Sequence, residues 1–377
     1  MRIAVNTRTW MSGKMEGIGH FTEQTVGRMA KAHPEHEFHL IFDRPFDSSF
    51  ISEPNMVGHV LPPPVRLPIL FALWYDWLIP FFLKKIKADV FLSPDGHASL
   101  RCPVPQITVI HDVFFVHYPA DVPWRFRSFL LRKTPQYIEK SEAIVTVSNF
   151  SKQDLISLYG VNADKVHVVY NAVSSNYKPL SEQEQSEVRE RLTSNKPYFI
   201  AISAIHPRKN LQRLIPAFEL FKSKTGLPHQ LIIVGRAFWD NKAMREVRNN
   251  LKFEKDILFT GRLESEELGK VLAAASANAY VSYFEGFGVP IIEAFACGVP
   301  VITANTSSTP EVAGGAALLV DPFSIEDIAL GLEELATSSE LVQDLIQKGY
   351  ARAQDFNWDK SAEQLWKVIE KHLPQDE

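Results

Sequence analysis

Short apolar runs alternate with longer stretches of helical period along almost the whole chain, and few folds satisfy that pattern. Helices that cross over between parallel strands cover both faces of a sheet, so the repeat predicts parallel sheets with helices on either side. In the first half the strand-like runs are Ile3–Val5, Phe38–Phe42, Val57–Leu61, Val90–Leu92, Ile107–Ile110, Ala143–Val147 and Val166–Val169. The periodicity lapses from Val173 to Lys196, a polar stretch with Pro179 that reads as a linker and a surface helix. A second series follows at Tyr198–Ser203, Leu231–Val234, Ile257–Thr260, Ala279–Ser282, Val301–Thr303 and Leu318–Val320. One helix is chemically well marked, with Ser148 and Ser151 as candidate N-caps and Gly160 free to take positive φ at its end. Pro216 lies inside the apolar pattern Leu211, Leu214, Ile215, Phe218 and Phe221, and predicts a bent helix there.

At 377 residues the length predicts two domains. Hydrophobic residues at 45% and charged residues at 22% fit an ordinary globular chain and exclude a disordered or fibrous one. Forty Lys and Arg stand against 44 Asp and Glu, a net charge of −4, which argues against nucleic acid as a partner. Cys102 and Cys297 have no ligand-like spacing and predict neither a disulfide framework nor a zinc site. Met1–Asn6 runs straight into a strand with no secretory signal, which predicts a cytoplasmic protein. Leu67–Leu83 is very apolar, but Pro68, Asp76 and Pro80 interrupt it, and it is shorter than the roughly 20 residues that cross a bilayer. Two readings stay open for it. One is a core helix plus a loop, ended by Lys84, Lys85 and Lys87. The other is a peripheral contact of residues 67–87 with the inner membrane surface through Trp74, Trp77, Phe81 and Phe82.

The segment Tyr283–Gly298 carries the most chemistry. A strand gives way to a glycine-containing turn and then to a helix with Pro290 near its start and Gly298 at its end. The amides of Gly286, Phe287, Gly288 and Val289 are the unpaired donors of such a helix start and favour a diphosphate. Glu285 and Glu293 bracket the turn, and eight helical steps between them span about 12 Å, less if the turn folds back. That span suits a nucleotide sugar, with Glu285 at the hexose and Glu293 accepting hydrogen bonds from the ribose hydroxyls. Arg208 and Lys209 follow the strand Tyr198–Ser203, at the sheet end where α/β proteins bind ligands, and their charges can neutralise a diphosphate.

These residues resemble the signature of the retaining, nucleotide-sugar-dependent glycosyltransferases of the GT-B fold, family 4, also described as glycosyl transferases group 1. The resemblance covers nearly the whole chain. It includes Gly17-Ile-Gly19, His111-Asp112, Thr146–Lys152, Val169-Tyr-Asn171, His206–Asn210, Thr260-Gly-Arg-Leu263, Tyr283–Gly298 and Ser307–Ala316. It implies two Rossmann-like α/β domains facing across a cleft. The acceptor domain is placed at residues 1–180 and the donor domain at 190–355. The terminal helix 356–377, with Ala362, Leu365, Trp366 and Ile369 on one face, crosses back to the first domain.

By the same resemblance Arg208, Lys209, Glu285 and His111 are catalytic, His111 as a contact to the donor sugar. Gly17, Gly19 and Leu263 join Gly286–Val289 and Glu293 around the donor. By themselves the two glycines fit a simple tight turn equally well. Ser203 stands where some relatives have a further arginine. The sequence contains no Asp-x-Asp, so no metal and no cofactor are expected, and Arg208, Lys209 and the helix amides take the place of a divalent cation. The activity so implied is retaining transfer of a hexose to an acceptor hydroxyl on a glycan or lipid-linked acceptor of cell-surface polysaccharide synthesis. The Arg-Lys-Asn form resembles mannosyltransferases and gives a slight preference for GDP-mannose. A sugar-nucleotide epimerase or hydrolase, or a binding protein without transfer activity, fits the same residues.

Overall fold

The apolar runs of the first half become β1 (Arg2–Asn6), β2 (Glu37–Phe42), β3 (Met56–Val60), β4 (Val90–Ser93), β5 (Gln106–Val109), β6 (Ala143–Thr146) and β7 (Val166–Val168). These form one sheet of order β3-β2-β1-β4-β5-β6-β7, parallel throughout. The structure is a computed structural model that describes residues 1–13, 15–65, 67–202, 206–235, 247 and 251–374. Sheet building changes direction between β1 and β4, so the crevice beyond their carboxyl ends is the place where such a sheet receives a ligand. The helix Asn149–Tyr159 starts where Ser148 Oγ accepts the Ser151 amide at 3.0 Å and ends on Gly160 at φ 64°.

The apolar stretch after Leu67 is helical without an intervening loop, which corrects the helix-plus-loop reading. Pro68–Leu73 passes into a wide π-turn over Trp74–Leu78 and then into Ile79–Ile86, closed by Lys87 at φ 52°. Trp74 is buried, with Nε1 donating to the Leu61 carbonyl at 2.8 Å, and so belongs to the core rather than to any surface contact.

The second series becomes β8 (Tyr198–Ile202), β9 (Gln230–Val234), β10 (Ile257–Gly261), β11 (Ala277–Tyr280), β12 (Val301–Ala304) and β13 (Leu318–Val320), in the order β10-β9-β8-β11-β12-β13. It is also parallel, with its switch point between β8 and β11. Its core packs Phe199, Phe218, Phe221 and Ile302 between sheet and helices. Pro216 sits inside the helix Leu211–Thr225, which continues on both sides of it. Ser203, the departure noted in the sequence, lies outside the described residues.

The chain divides into two units, Met1–Asn171 with Asn357–Glu377, and Ala172–Phe356. The boundary therefore falls earlier than the expected 180–190. The physical reason is that residues 172–180 pack on the second unit. Tyr177 is buried there, and a Cβ on Gly269 would meet the Asn176 carbonyl at 2.7 Å. The terminal helix, Trp358–Glu370, belongs to the first unit. Ser361 Oγ donates to the Tyr170 carbonyl at 2.7 Å, Arg28 pairs with Asp359 at 2.7 Å, and the Trp366 ring stacks on His33 at 3.8 Å. Trp366 is 5% exposed, so Trp366→Ala is expected to cost about 3–5 kcal/mol of stability, read as a lower midpoint in urea denaturation.

Candidate active site

Two loops meet at the switch point of the second sheet. The first carries the tight turn Pro207–Lys209, where the His206 side chain accepts the Arg208 amide at 3.3 Å. Asn210 closes that turn in the left-handed region at φ 62° and is fully buried. Its Nδ2 donates to the carbonyls of Val281 at 3.0 Å and Pro322 at 2.6 Å, tying the loop to the ends of β11 and β13. The second loop leaves β11 and carries Tyr283–Gly288. The Tyr283 amide donates to the Arg208 carbonyl at 3.0 Å, so the two loops are bonded backbone to backbone.

Arg208, Lys209 and Glu285 are brought together at this junction. The Arg208 guanidinium donates to one Glu285 carboxylate oxygen and to the Phe284 carbonyl, the latter at 3.2 Å. Lys209 Nζ donates to the other carboxylate oxygen at 2.6 Å and to the Tyr280 hydroxyl at 2.8 Å. Glu285 is 5% exposed. Burial alone would raise its pKa, but the adjacent charges of Arg208 and Lys209 win and hold it at about 2. The Tyr280 hydroxyl beneath it is pushed well up, by burial first and then by the Glu285 charge. Two cations against one carboxylate leave the site positive.

The turn after Glu285 is held from one side by hydroxyl groups. The Glu285 amide donates to Ser307 Oγ at 3.1 Å, Ser308 Oγ donates to the carbonyls of Glu285 at 2.9 Å and Phe287 at 2.8 Å, and Thr306 Oγ1 donates to Tyr283 O at 3.0 Å. Ser307 takes φ 56° to reach it. The helix Val289–Ala296 then begins at Gly288, whose φ of 111° a side chain would strain and whose Cβ would come within 3.0 Å of Ile291. Gly288 has no side chain to cap that helix, whose first turn follows directly on the same loop.

The uninterrupted helical spacing from Glu285 to Glu293 does not hold, because the helix starts only at Val289. Glu293 is half-buried one turn in, and the Tyr177 hydroxyl is pushed up by burial first and then by the charge of that carboxylate. Leu263 is half-buried just after the edge strand β10.

His111, Gly17 and Gly19 belong to the first unit. Gly17 and Gly19 are not in a loop. They form the first turn of the helix Gly17–Ala32, and a Cβ on Gly19 would approach the Thr9 carbonyl at 3.0 Å, so close packing is what that position requires. Phe21, one turn on, meets the His111 ring edge to face at 5.3 Å. His111 Nε2 donates to the Pro94 carbonyl at 3.0 Å, which leaves Nδ1 as an acceptor, and burial lowers its pKa despite Asp112 and Asp95. It is neutral at neutral pH.

Sequence reasoning missed several groups. Tyr280 and the hydroxyls of Thr306, Ser307 and Ser308 support Glu285, and the clue was the run of hydroxyl residues between β12 and Pro310. At the switch point of the first sheet, Arg8 makes two bonds to Asp95 at 3.0 and 2.6 Å, while the Tyr75 hydroxyl donates to Asp95 at 2.7 Å and accepts from Asn6 at 2.7 Å. Asn6 and Arg8 are two residues apart, but no local spacing links them to Tyr75 and Asp95. Among the described residues the one group of three side chains spaced for a metal ion is His33, Glu35 and His36, on the turn before β2.

Two family models match the chain, Glycosyl transferases group 1 over residues 182–352 and Glycosyltransferase Family 4 over residues 15–177. The chain belongs to the family 4 (group 1) glycosyltransferases. It is 28% identical over 362 residues to O-antigen chain mannosyltransferase B of Escherichia coli, with 93% of this chain and 94% of that one covered. It is 26% identical over 274 residues to O-antigen chain mannosyltransferase RfbU of Salmonella typhimurium, with 72% of each covered. Among solved structures, WaaG, a glycosyltransferase involved in lipopolysaccharide biosynthesis, superposes at a TM-score of 0.76 and 15% identity over 97% of this chain and 99% of that one. The two parallel-sheet units are thus the Rossmann-like domains of a GT-B glycosyltransferase.

The Glu285 ion pairs have a consequence for pH. The folded-state pKa of about 2 lies below the ordinary 4.5, so the stability Glu285 contributes is complete above about pH 4.5 and is lost as pH falls toward 2. The shift corresponds to something on the order of 3 kcal/mol. Glu285→Gln should lack this component, and the gap between its acid-unfolding profile and that of the wild type over that window measures it.

Proposed function

We propose that the protein transfers a hexose, mannose from GDP-mannose by preference, to a hydroxyl of a glycan or lipid-linked acceptor, with retained anomeric configuration and without a metal ion. The observation that carries this reading is the Arg208–Glu285–Lys209 cluster at the sheet's switch point, beside an uncapped helix start. The preference for mannose is supported by the names of the O-antigen mannosyltransferases to which the chain is similar.

In this reading Arg208 and Lys209 bind the diphosphate of the donor, and the amides of Gly286–Val289 add donors along its other side. Glu293 accepts hydrogen bonds from the ribose. Leu263 lines the same donor site. Glu285 stays ionised, so it is no proton donor. It accepts hydrogen bonds from hexose hydroxyls and fixes the two cations where the leaving charge develops. The bond from the anomeric carbon to the diphosphate oxygen breaks while the acceptor oxygen bonds to that carbon on the same face. The acceptor's proton passes to the departing diphosphate. His111, neutral and fixed by Pro94, serves the sugar as a hydrogen-bonding group and not as a cation, and Phe21 of the helix that Gly17 and Gly19 begin packs on its ring.

Glu285→Gln should lower kcat by about a hundredfold or more while affinity for the free nucleoside diphosphate is unchanged or rises, because one negative charge has left the site. Near-normal turnover would overturn the role given to Glu285. Glu293→Ala should weaken the diphosphate about tenfold, as loss of a charged hydrogen bond to a ribose does, measured by calorimetry with GDP and UDP in parallel. Transfer should persist in EDTA. Loss restored by magnesium or manganese would sink the metal-free reading.

A further inference from the structure

We propose that one side of the first unit, formed by the outer face of the helical segment 68–86 and continued by the helix Trp124–Lys140, docks on a bilayer surface that carries anionic lipid. Ile69, Leu73, Trp77 and Phe81 recur every four residues along the segment and are exposed by 75%, 43%, 57% and 72%. An ordinary helix would rotate such a series steadily away from one side. The π-turn Trp74–Leu78 takes up extra residues per turn and keeps them nearer to one line. Four large apolar side chains in a row on a surface are a binding feature rather than the scattered exposure common to all proteins.

Charge decides the partner. The segment ends in Lys84, Lys85 and Lys87, all exposed, and its one acid, Asp76, is turned inward, accepting the Leu100 amide at 2.8 Å and facing Lys133 at 3.8 Å. Lys133 comes from the helix Trp124–Lys140, which lies alongside through Phe126 and Phe129 against Phe71. That helix carries Arg125, Arg127, Arg132, Lys133 and Lys140 against a single acid, Glu139, and exposes Trp124 by 66%. In a chain of net charge −4, these two segments and the residue that closes the first thus carry eight Lys and Arg against two acids. Arg101 lies over the Trp77 ring at 3.7 Å and Arg125 over Trp124 at 5.4 Å. Aromatic rings with basic groups beside them match the boundary between headgroups and acyl chains, where the ring enters the apolar layer and the cation meets phosphate. A second copy of so basic a face would be repelled, which favours a lipid surface over self-association. No described helix is long and apolar enough to cross a membrane, so the contact is one of lying on the surface.

The test is co-sedimentation of the full chain with vesicles of phosphatidylcholine alone and of phosphatidylcholine with one third phosphatidylglycerol, at low and high salt, with neither nucleotide nor sugar present. Its result is therefore independent of the transfer reading. The wild type should bind the anionic vesicles, weakly or not at all the neutral ones, and less at high salt. Trp77→Ser with Phe81→Ser, both exposed and therefore compatible with folding, should lower the partition about tenfold. Lys84→Glu with Lys85→Glu should lower it by at least about fivefold per lysine. Both double variants should keep the wild-type melting temperature and affinity for nucleoside diphosphate. Absence of binding to anionic vesicles, or binding that neither pair of substitutions changes, would overturn the proposal. So would a wild-type dimer in solution that Trp77→Ser with Phe81→Ser turns into a monomer, since the face would then join two copies.

Discussion

A carboxylate 5% exposed and gripped by two cations is the constraint around which the second unit is arranged. Burying Glu285 without Arg208 and Lys209 would drive it to its neutral form, and burying either cation without Glu285 would be as unfavourable. Each loop therefore fixes the other. Asn210 holds the cationic loop to β11 and β13, and the Tyr283 amide bonds to the Arg208 carbonyl. The hydroxyls of Thr306, Ser307 and Ser308 hold the loop that carries Glu285. Each member of this scaffold satisfies a polar group that would otherwise be buried without a partner. The result is a preformed positive site at the sheet's switch point, built before any ligand arrives.

The strands were legible because parallel sheets buried on both faces write continuous apolar runs into the sequence, and both observed sheets follow the runs to within a residue or two at most ends. Strand order was not legible, since no run states its neighbour. The Glu285 segment could be read from its own turn, proline and glycines, which are local devices. Glu285 and Glu293 are separated by a non-helical turn, because Gly288 at φ 111° delays the helix, and spacing alone cannot tell a helical step from a turn residue. Gly17 and Gly19 misled for a related reason. Two glycines after a strand resemble a loop, whereas Gly19 is needed for close packing against Thr9 inside a helix.

What stayed hidden was long-range. Asn6 and Arg8, two residues apart, form one network with Tyr75 and Asp95, although 20 residues separate Tyr75 from Asp95 and 87 separate Arg8 from Asp95. Arg8 holds the Asp95 carboxyl far below its usual range against the pull of burial, while Asp95 holds the buried guanidinium ionised. Periodicity carries no information about such pairs. It also marked Trp74 as equivalent to Trp77, because only the packed structure reveals that one ring points at Leu61 and the other at solvent.

The charge at the second unit's switch point also explains why Glu285 has to remain an anion. With Arg208 and Lys209 paired to it, the cluster carries one net positive charge at rest, and a diphosphate brings at least two negative ones. A cation bound to nothing would be solvated or folded away and would have to be drawn into place when the ligand came. A cation already paired to a fixed carboxylate needs only to share its donors. Arg208 and Lys209 each carry several N–H donors, so each can share them with phosphate oxygens while keeping its bond to Glu285. Glutamine in place of Glu285 would retain a hydrogen-bonding acceptor for one of them but no charge to hold both. Preorganisation of the cations and ionisation of the glutamate are, in that sense, a single property of the cluster.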